Sequence, residues 1–185
     1  LYAVVAATGE ETWRHEFDDH IWSTPALADG TLYLGTSDTY FYAIDAATGR
    51  PQWQFETGDV IGSDPLVDDK TVYFGSNDSS VYALRQAGGT RRWTFETGDR
   101  VSGGPALADG TLYVGSMDHT LYALSAVAGT PEWEFEAGGR IYGTPTVTDR
   151  TVYVGSDYYY ALDRATGTER WSWEPPGVSR STPLL

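Results

Sequence analysis

The distribution of apolar residues along the chain predicts short β-strands. In each stretch of about forty residues, runs rich in aromatic and β-branched side chains are separated by Gly, Asp, Pro and Thr. In the clearest stretch, strand A is predicted at 23–28, strand B at 31–36, strand C at 39–45 and strand D at 52–57. We find no convincing 3.6-residue period of an amphipathic helix. The pattern therefore indicates an all-β protein.

The predicted strand C carries apolar residues on both of its faces. Successive side chains of a strand point to opposite sides, so Tyr42 and Ile44 share one face while Phe41 and Ala43 share the other. A sheet with one face in water would alternate between apolar and polar residues. Strand C is therefore expected in a sheet that is packed between two neighbouring sheets.

The four-strand unit repeats along the whole chain. The marker residues are Trp13, Trp53, Trp93, Trp133 and Trp171, with Pro25, Pro65, Pro105, Pro145 and Pro183, spaced by 40, 40, 40 and 38 residues. The approximate repeats are 1–17, 18–57, 58–97, 98–137, 138–174 and 175–185. Such a period predicts a β-propeller of four-stranded antiparallel blades, with four complete blades and partial terminal strands, in a single domain at 1–185.

One eleven-residue string marks the end of each unit. It reads AIDAATGRPQW at 43–53 and ALDRATGTERW at 161–171. This pattern resembles the tryptophan-docking motif of the PQQ-like (pyrroloquinoline quinone-type) β-propeller family. The resemblance covers essentially all of the chain and implies relatives of two kinds, the quinoprotein alcohol dehydrogenases and the non-catalytic lipoprotein scaffold of outer-membrane barrel assembly. The matching residues are Ala43, Asp45, Thr48, Gly49, Trp53, Ala161, Asp163, Thr166, Gly167 and Trp171.

The string has a physical meaning of its own. Thr-Gly makes a tight turn between strands C and D in which Gly adopts the left-handed conformation, and Thr or Asp bonds local amides. The Trp then returns beside a small Ala, lies flat and reaches the adjacent blade, burying on the order of 200 Å². We expect a structural docking role for all five tryptophans. In three copies Val5, Arg85 or Ser125 replaces the Asp, so its hydrogen bonds are predicted to be optional.

The number of blades in the ring is open at this stage. The sequence starts inside a strand-like run without Met, and residues 28–40 have no counterpart when the two ends are overlaid. We favour a piece of a larger propeller. A five-bladed ring and a ring assembled from two chains are the alternatives. An open ring exposes apolar sheet faces and would promote self-association.

The charge of the chain limits its partners. There are 26 Asp and Glu residues against 12 Lys and Arg, a net charge of −14, and Lys70 is the only lysine. We interpret this acidic, lysine-poor composition as a halophilic adaptation, with an ordinary acidic secreted domain as the alternative. Phosphate backbones would be repelled, so nucleic acid is not expected as a partner. The absence of cysteine excludes disulfides and thiolate metal sites.

The loops that join one blade to the next are the candidate binding surface. In propellers the D–A and B–C connections gather at one end of the central channel. Here the D–A positions differ between copies, whereas Pro and Trp repeat. Three residues before each repeated Pro stand Trp22, Gly62, Ser102, Tyr142 and Arg180, and two residues further back stand His20, Val60, Arg100, Arg140 and Val178. The aromatic rings and guanidinium groups among them are suited to a sugar-like or anionic ligand or to a protein. Neutral drift of exposed loops is the alternative. The candidate binding residues are Trp22, Tyr142, Arg100, Arg140, Arg180, His20 and His119.

Catalytic chemistry has little support in the sequence. The family's quinone chemistry requires Ca²⁺ held by Glu, Asn and Asp, and Asn77 is the only asparagine. We therefore expect neither quinone nor Ca²⁺ as a cofactor. We also expect that the chain has no metal site and no catalytic residue. The recurring B–C aspartates, Asp38, Asp78, Asp118 and Asp157, are interpreted as local backbone caps.

Three functional hypotheses follow. The first is a non-catalytic binding or scaffold module, extracellular or at the cell surface, possibly held by an anchor outside this sequence. The second is a fragment of a quinoprotein dehydrogenase. The third is the sensor region of a membrane protein, although no apolar run in this sequence is long enough to span a bilayer.

Overall fold

The computed structural model describes residues 1–175 and 182–183. Within these residues the chain forms a two-stranded terminal hairpin and four antiparallel sheets of four strands each. The terminal hairpin consists of β1 (Tyr2–Val4) and β2 (Glu11–Arg14). Every sheet is a meander in which strands consecutive in sequence are hydrogen-bonded neighbours.

The four sheets follow the predicted repeats. Sheet 1 comprises β3 (Ala26–Ala28), β4 (Thr31–Gly35), β5 (Tyr40–Asp45) and β6 (Pro51–Glu56). Sheet 2 comprises β7 (Leu66–Asp68), β8 (Thr71–Ser76), β9 (Ser80–Arg85) and β10 (Arg91–Glu96). Sheet 3 comprises β11 (Ala106–Ala108), β12 (Thr111–Gly115), β13 (Thr120–Ser125) and β14 (Pro131–Glu136). Sheet 4 comprises β15 (Thr146–Val147), β16 (Thr151–Gly155), β17 (Tyr159–Asp163) and β18 (Glu169–Trp173). The all-β propeller architecture predicted from the repeat is confirmed.

Sheet 1 is packed on both faces, as the pattern of its third strand predicted. Phe41 and Ala43 belong to a core cluster shared with sheet 2, and the ring of Phe41 stacks on that of Phe74 at a centroid distance of 4.0 Å. On the other face, Tyr42 and Ile44 pack with Trp13 of the terminal hairpin. Apolar faces on both sides are therefore buried by neighbouring sheets.

Strand A is shorter than predicted. The first strand of sheet 1 begins at Ala26, not at residue 23. Pro25 has no N–H to donate to a ladder. The hydroxyl of Ser23 instead accepts the N–H of Gly35 at 2.9 Å and donates to the Gly35 carbonyl at 3.1 Å. Residues 23–25 are thus held by a side chain and not by strand pairing.

The turns between strands C and D keep one backbone geometry in every copy. The turn glycine has a positive φ, 69° at Gly49 and 65° at Gly89, and donates its N–H to the residue four before it, Asp45 or Arg85. At Asp45 the carboxylate also accepts the N–H and the hydroxyl of Thr48, at 2.8 and 2.7 Å. The same backbone hydrogen bond forms between Gly89 and Arg85, which has no carboxylate. The turn therefore does not require the aspartate side chain.

Four of the five repeated tryptophans lie across the boundary to the following sheet. In the strand pairing each Trp stands opposite a small residue, as Trp53 does opposite Ala43. The indole N–H groups donate to carbonyls of the next sheet at 2.7–3.0 Å, from Trp13 to Ala46, Trp53 to Gln86, Trp93 to Ala126 and Trp133 to Arg164. The rings cover the turn glycines Gly49, Gly89, Gly129 and Gly167.

Trp171 departs from this arrangement. It stands opposite Ala161 in the strand pairing and near Tyr153, at a ring-centroid distance of 6.0 Å, but 49% of its surface is exposed. Its expected docking on a following sheet is not present among the described residues. β18 is the outermost described strand and is exposed along its whole length, so no described sheet lies next to it for Trp171 to pack on.

Candidate functional site

The segments that enter sheets 2, 3 and 4 are each anchored by one buried aliphatic side chain. Ile61, Val101 and Ile141 are fully buried, four residues before the repeated prolines. A Cβ on Gly35, Gly75 or Gly115 would come within 2.1–2.2 Å of these side chains. Glycine in strand B is therefore required for close contact with the entering segment. This contact fixes the backbone on which the variable residues stand.

The variable residues three positions before the prolines come together in one depression. It has a volume of about 310 Å³ and lies where the entrances of all four sheets meet. These four residues are Trp22, Gly62, Ser102 and Tyr142. The sequence-based grouping of these positions thus corresponds to a single surface, although they lie up to 120 residues apart. Their role in binding stays a prediction.

Trp22 is the most exposed aromatic side chain among the residues that line this depression. Its side chain is 69% exposed, and the ring of His20 stacks against it at a centroid distance of 6.1 Å. The Nδ1 of His20 lies 2.6 Å from Oδ1 of Asp19. Hydrogen bonds from the His20 side chain and backbone hold the pKa of Asp19 below its ordinary value. His20 does not line the depression itself and contributes to it by stacking on the Trp22 ring.

The floor of the depression is made of closely packed backbone. The N–H of Thr24 donates to Oδ1 of Asp64 at 2.5 Å and so links the entrances of sheets 1 and 2. A Cβ at Gly103 would lie 2.7 Å from the carbonyl oxygen of Gly143, and one at Gly104 would lie 2.9 Å from the Thr144 hydroxyl. Small residues are therefore needed for the entrances of sheets 3 and 4 to approach each other.

Three other candidate residues lie apart from the depression, and one cannot be located. Arg100 and Arg140 are exposed and do not line it. The carbonyl of Arg100 accepts the N–H of Met117, which ties this residue to the B–C loop of its own sheet. His119 is exposed in that loop with a φ of 79°. Arg180 falls outside the described residues.

The B–C aspartates bind groups of the protein itself. The carboxylate of Asp78 accepts the N–H of Gly58 at 2.8 Å, the N–H of Ser80 at 3.0 Å and the hydroxyl of Tyr82 at 2.6 Å. Asp118 makes the same three contacts, with Gly98, Thr120 and Tyr122. Burial, reinforced by the hydrogen bond to the neighbouring carboxylate, raises the pKa of Tyr82 and of Tyr122 to about 12.

The sequence reasoning missed a second ring of residues around the depression. These are the residues immediately before the repeated prolines, Thr24, Asp64, Gly104, Thr144 and Thr182. Their constant spacing from proline was visible in the sequence. Their small side chains gave no chemical reason to select them before the shared depression was known.

Comparison with protein families assigns this arrangement of sheets. The model of the family described as outer membrane protein assembly factor BamB matches residues 1–86 and 77–184, which together are nearly the whole chain. The chain belongs to this PQQ-like repeat family. No curated protein matches the sequence.

Solved structures share the architecture of this chain. BamB from Moraxella catarrhalis has a TM-score of 0.79 at 24% identity, covering 94% of this chain and 58% of that one. The computationally designed Ika8 protein has a TM-score of 0.85 at 14% identity, covering 97% and 57%. Quinohemoprotein alcohol dehydrogenase from Comamonas testosteroni has a TM-score of 0.75 at 19% identity, covering 84% and 35%. This PQQ-like chain thus spans less than two-thirds of each of these three structures.

Proposed function

We propose that this PQQ-like chain is a non-catalytic binding or scaffold module that recognises a partner protein through the depression lined by Trp22 and Tyr142. The observation that carries the proposal is the meeting of four sequence-variable entrances in one depression on an otherwise repetitive frame. A rigid frame with a variable face is suited to recognition, because little order has to be gained on binding. Membership of the family described as an outer membrane protein assembly factor supports a protein partner.

The chemistry of the depression favours binding over quinone catalysis. The only carboxylate that lines it in the described part of the chain is Asp64, and one oxygen of that group already accepts the N–H of Thr24. Ca²⁺ takes six to eight oxygen ligands, several of them carboxylates. No group of three or more metal-binding side chains occurs among residues 1–175 and 182–183. These residues do not fit a calcium-bound quinone, and we propose no cofactor.

A place outside the cell or at its surface fits this proposal, since the family description refers to assembly at an outer membrane. No helix in the part of the chain described by the structure is long and apolar enough to cross a bilayer. We also propose that the high acidity is a halophilic adaptation. Nucleic acid is not expected as a partner of a chain with a net charge of −14.

Two measurements test the proposal. In the first, peptide arrays of exported proteins from the source organism are probed with the full chain and with Trp22→Ala/Tyr142→Ala. Specific signals should be lost in the double variant. They should persist in Trp173→Ala, which removes another exposed indole on β18, the outermost described strand, outside the depression. Equal signals from all three proteins would argue against the depression.

The second measurement addresses the dehydrogenase alternative. Quinone and Ca²⁺ are added to the chain, and thermal unfolding and dye-linked alcohol oxidation are followed. We expect an unchanged thermal midpoint and no oxidation. A clear rise of the midpoint together with turnover would support a quinoprotein fragment, to which the likeness to quinohemoprotein alcohol dehydrogenase points.

A further inference from the structure

A second cleft lies at the opposite end of the sheets from the depression. It has a volume of about 540 Å³ and is formed by the A–B and C–D turn regions of sheets 1 and 2. Sheet 2 contributes three basic side chains to it, Lys70, Arg85 and Arg92. They are three of only 12 basic residues in a chain with a net charge of −14. These three cations outnumber the two carboxylates of the lining, Asp29 and Asp69, in a chain that is acidic overall.

The repeat provides an internal comparison for these three positions. In sheet 1 they are Gly30, Asp45 and Gln52; in sheet 3, Gly110, Ser125 and Glu132; in sheet 4, Arg150, Asp163 and Arg170. Only sheet 2 has a basic residue at all three. At the C–D turn, Arg85 stands where sheets 1 and 4 carry Asp45 and Asp163.

The pair in sheet 4 gives the distance between two of these positions. Arg170 and Asp163 form an ion pair at 2.7 Å. Because Arg85 and Arg92 occupy the same positions in sheet 2, two guanidinium groups stand where sheet 4 has opposite charges. Within residues 1–175 and 182–183, neither arginine nor Lys70 makes an ion pair. The like charges of Arg85 and Arg92 are thus not neutralised by a direct ion pair with a carboxylate of the described chain.

A second contact that spans two sheets elsewhere is also missing here. Between sheets 3 and 4, Arg164 pairs with Asp109 at 2.5 Å. The equivalent residues in this cleft are Gln86 and Asp29, and the Gln86 amide donates instead to the backbone carbonyl of Asp69 at 2.6 Å. The cleft is therefore not bridged by that ion pair. Asp29 and Asp69 also line it, so a ligand has to bind on the side of the arginines.

We propose that Lys70, Arg85 and Arg92 form a binding site for a compact oxyanion that carries two or more negative charges. Guanidinium groups bind such anions through paired N–H donors, and the ammonium group adds a mobile charge. An anion between Arg85 and Arg92 takes the place that the Asp163 carboxylate has in sheet 4. The site is independent of the depression and of the partner proposed there.

The test is a titration of the full chain with inorganic pyrophosphate, followed by NMR of the arginine Nε–H groups and of the backbone amides. Sodium chloride at matched ionic strength is titrated in parallel. Saturable shifts at residues 70, 85 and 92, absent with chloride, support the site. Shifts that never saturate, or that chloride reproduces, overturn it.

The decisive variant is Arg85→Asp. It restores the aspartate found in sheets 1 and 4 and allows an ion pair with Arg92, so the fold is expected to persist. Pyrophosphate affinity should fall by about tenfold or more, since a charge-assisted contact is lost and a repulsive charge is added. Arg91→Asp is the matched control, because it makes the same charge change on the neighbouring strand, β10, outside the cleft.

The two variants separate a site from general electrostatics. A much smaller loss in Arg91→Asp supports the proposal, whereas equal losses in both variants refute it. If Arg85→Asp does not fold, Arg92→Gln is a milder variant that removes one guanidinium group. Its affinity for pyrophosphate should also fall.

Discussion

The indole of Trp93 lies directly on the backbone of Gly129 in the next sheet. A Cβ added to Gly129 would come within 2.5 Å of the indole Cδ2. The same indole donates its N–H to the carbonyl of Ala126 at 3.0 Å and is only 9% exposed. One side chain therefore joins two sheets by both packing and hydrogen bonding.

Replacement of this indole should be costly. Trp93→Ala removes a buried aromatic ring and leaves a cavity between sheets 2 and 3, so we expect a loss of about 3–5 kcal/mol in the free energy of unfolding. Trp171→Ala is the control, because the Trp171 side chain is 49% exposed, and it should cost about 1 kcal/mol or less. Urea unfolding followed by circular dichroism measures both values. Similar losses in the two variants would contradict a docking role.

Two glycines with the same backbone conformation should respond differently to alanine. Gly9 and Gly89 both have a positive φ, but a Cβ at Gly9 meets nothing within 4 Å, whereas one at Gly89 would lie 2.5 Å from Trp53. Gly9→Ala should cost about 1–2 kcal/mol through the backbone alone. Gly89→Ala should cost about 2–5 kcal/mol, because the indole has to move as well. Equal unfolding midpoints for the two variants would show that the ring does not need this close contact.

Alkaline pH should weaken the fold through the tyrosines bound to the B–C aspartates. In the folded chain the pKa of Tyr82 and of Tyr122 is raised to about 12, whereas an unfolded tyrosine ionises near its ordinary value of 10. The folded state therefore holds these protons more tightly. Its extra stability is complete below pH 10 and is lost as pH rises toward 12. Urea unfolding at a series of pH values measures the slope.

Tyr82→Phe should flatten this slope in part, since one of the raised groups is gone. Tyr2→Phe is the control, because Tyr2 is 65% exposed on the terminal hairpin. If the slope above pH 10 were the same in wild type and in Tyr82→Phe, the contact between Tyr82 and Asp78 would not govern the alkaline response.

Salt should stabilise the chain. With a net charge of −14, self-repulsion is strongest when few ions screen it. We expect the free energy of unfolding to increase as KCl is raised from low to molar concentration. Sucrose at matched osmolality serves as the uncharged control. A stability that does not change on dialysis to low salt would count against the halophilic interpretation.

The residues proposed for recognition should have little effect on stability. Trp22 is 69% exposed, so Trp22→Ala should change the free energy of unfolding by about 0.5 kcal/mol or less. Calorimetry of this variant beside Trp93→Ala gives the comparison. A large loss in Trp22→Ala would mean that the residue holds the fold and is not a free recognition group.

The repeat made the fold predictable, because each copy is independent evidence for the same strands. Strand C, at 39–45, could be assigned to a doubly packed sheet from its apolar faces, and the reach of Trp53 to the adjacent blade from the tight turn and the small Ala43 beside it. That Trp53 packs on Gly89 is visible only in the structure. The start of strand A could not be predicted, because Ser23 replaces a strand contact by its side chain, which local pattern does not reveal.

The candidate site was only partly predictable. Trp22 and Tyr142 could be grouped by their spacing from proline, but the outward placement of Arg100 depends on its bond to the B–C loop. Likewise, the basic cleft depends on which turns adjoin in space and on the absence of the ion pair that Arg164 makes with Asp109. Neither relation is encoded in the spacing of a single repeat.

The close contact between Ile61 and Gly35 has an evolutionary consequence. This contact and its counterparts, Gly75 with Val101 and Gly115 with Ile141, hold the entrances of sheets 2, 3 and 4. The tryptophan contacts lie near the other end of the same sheets. Mutations at positions such as 22, 62, 102 and 142 can therefore accumulate without disturbing what holds neighbouring blades together. Ligand preference can therefore evolve one blade at a time, while the stability of the propeller fold is retained.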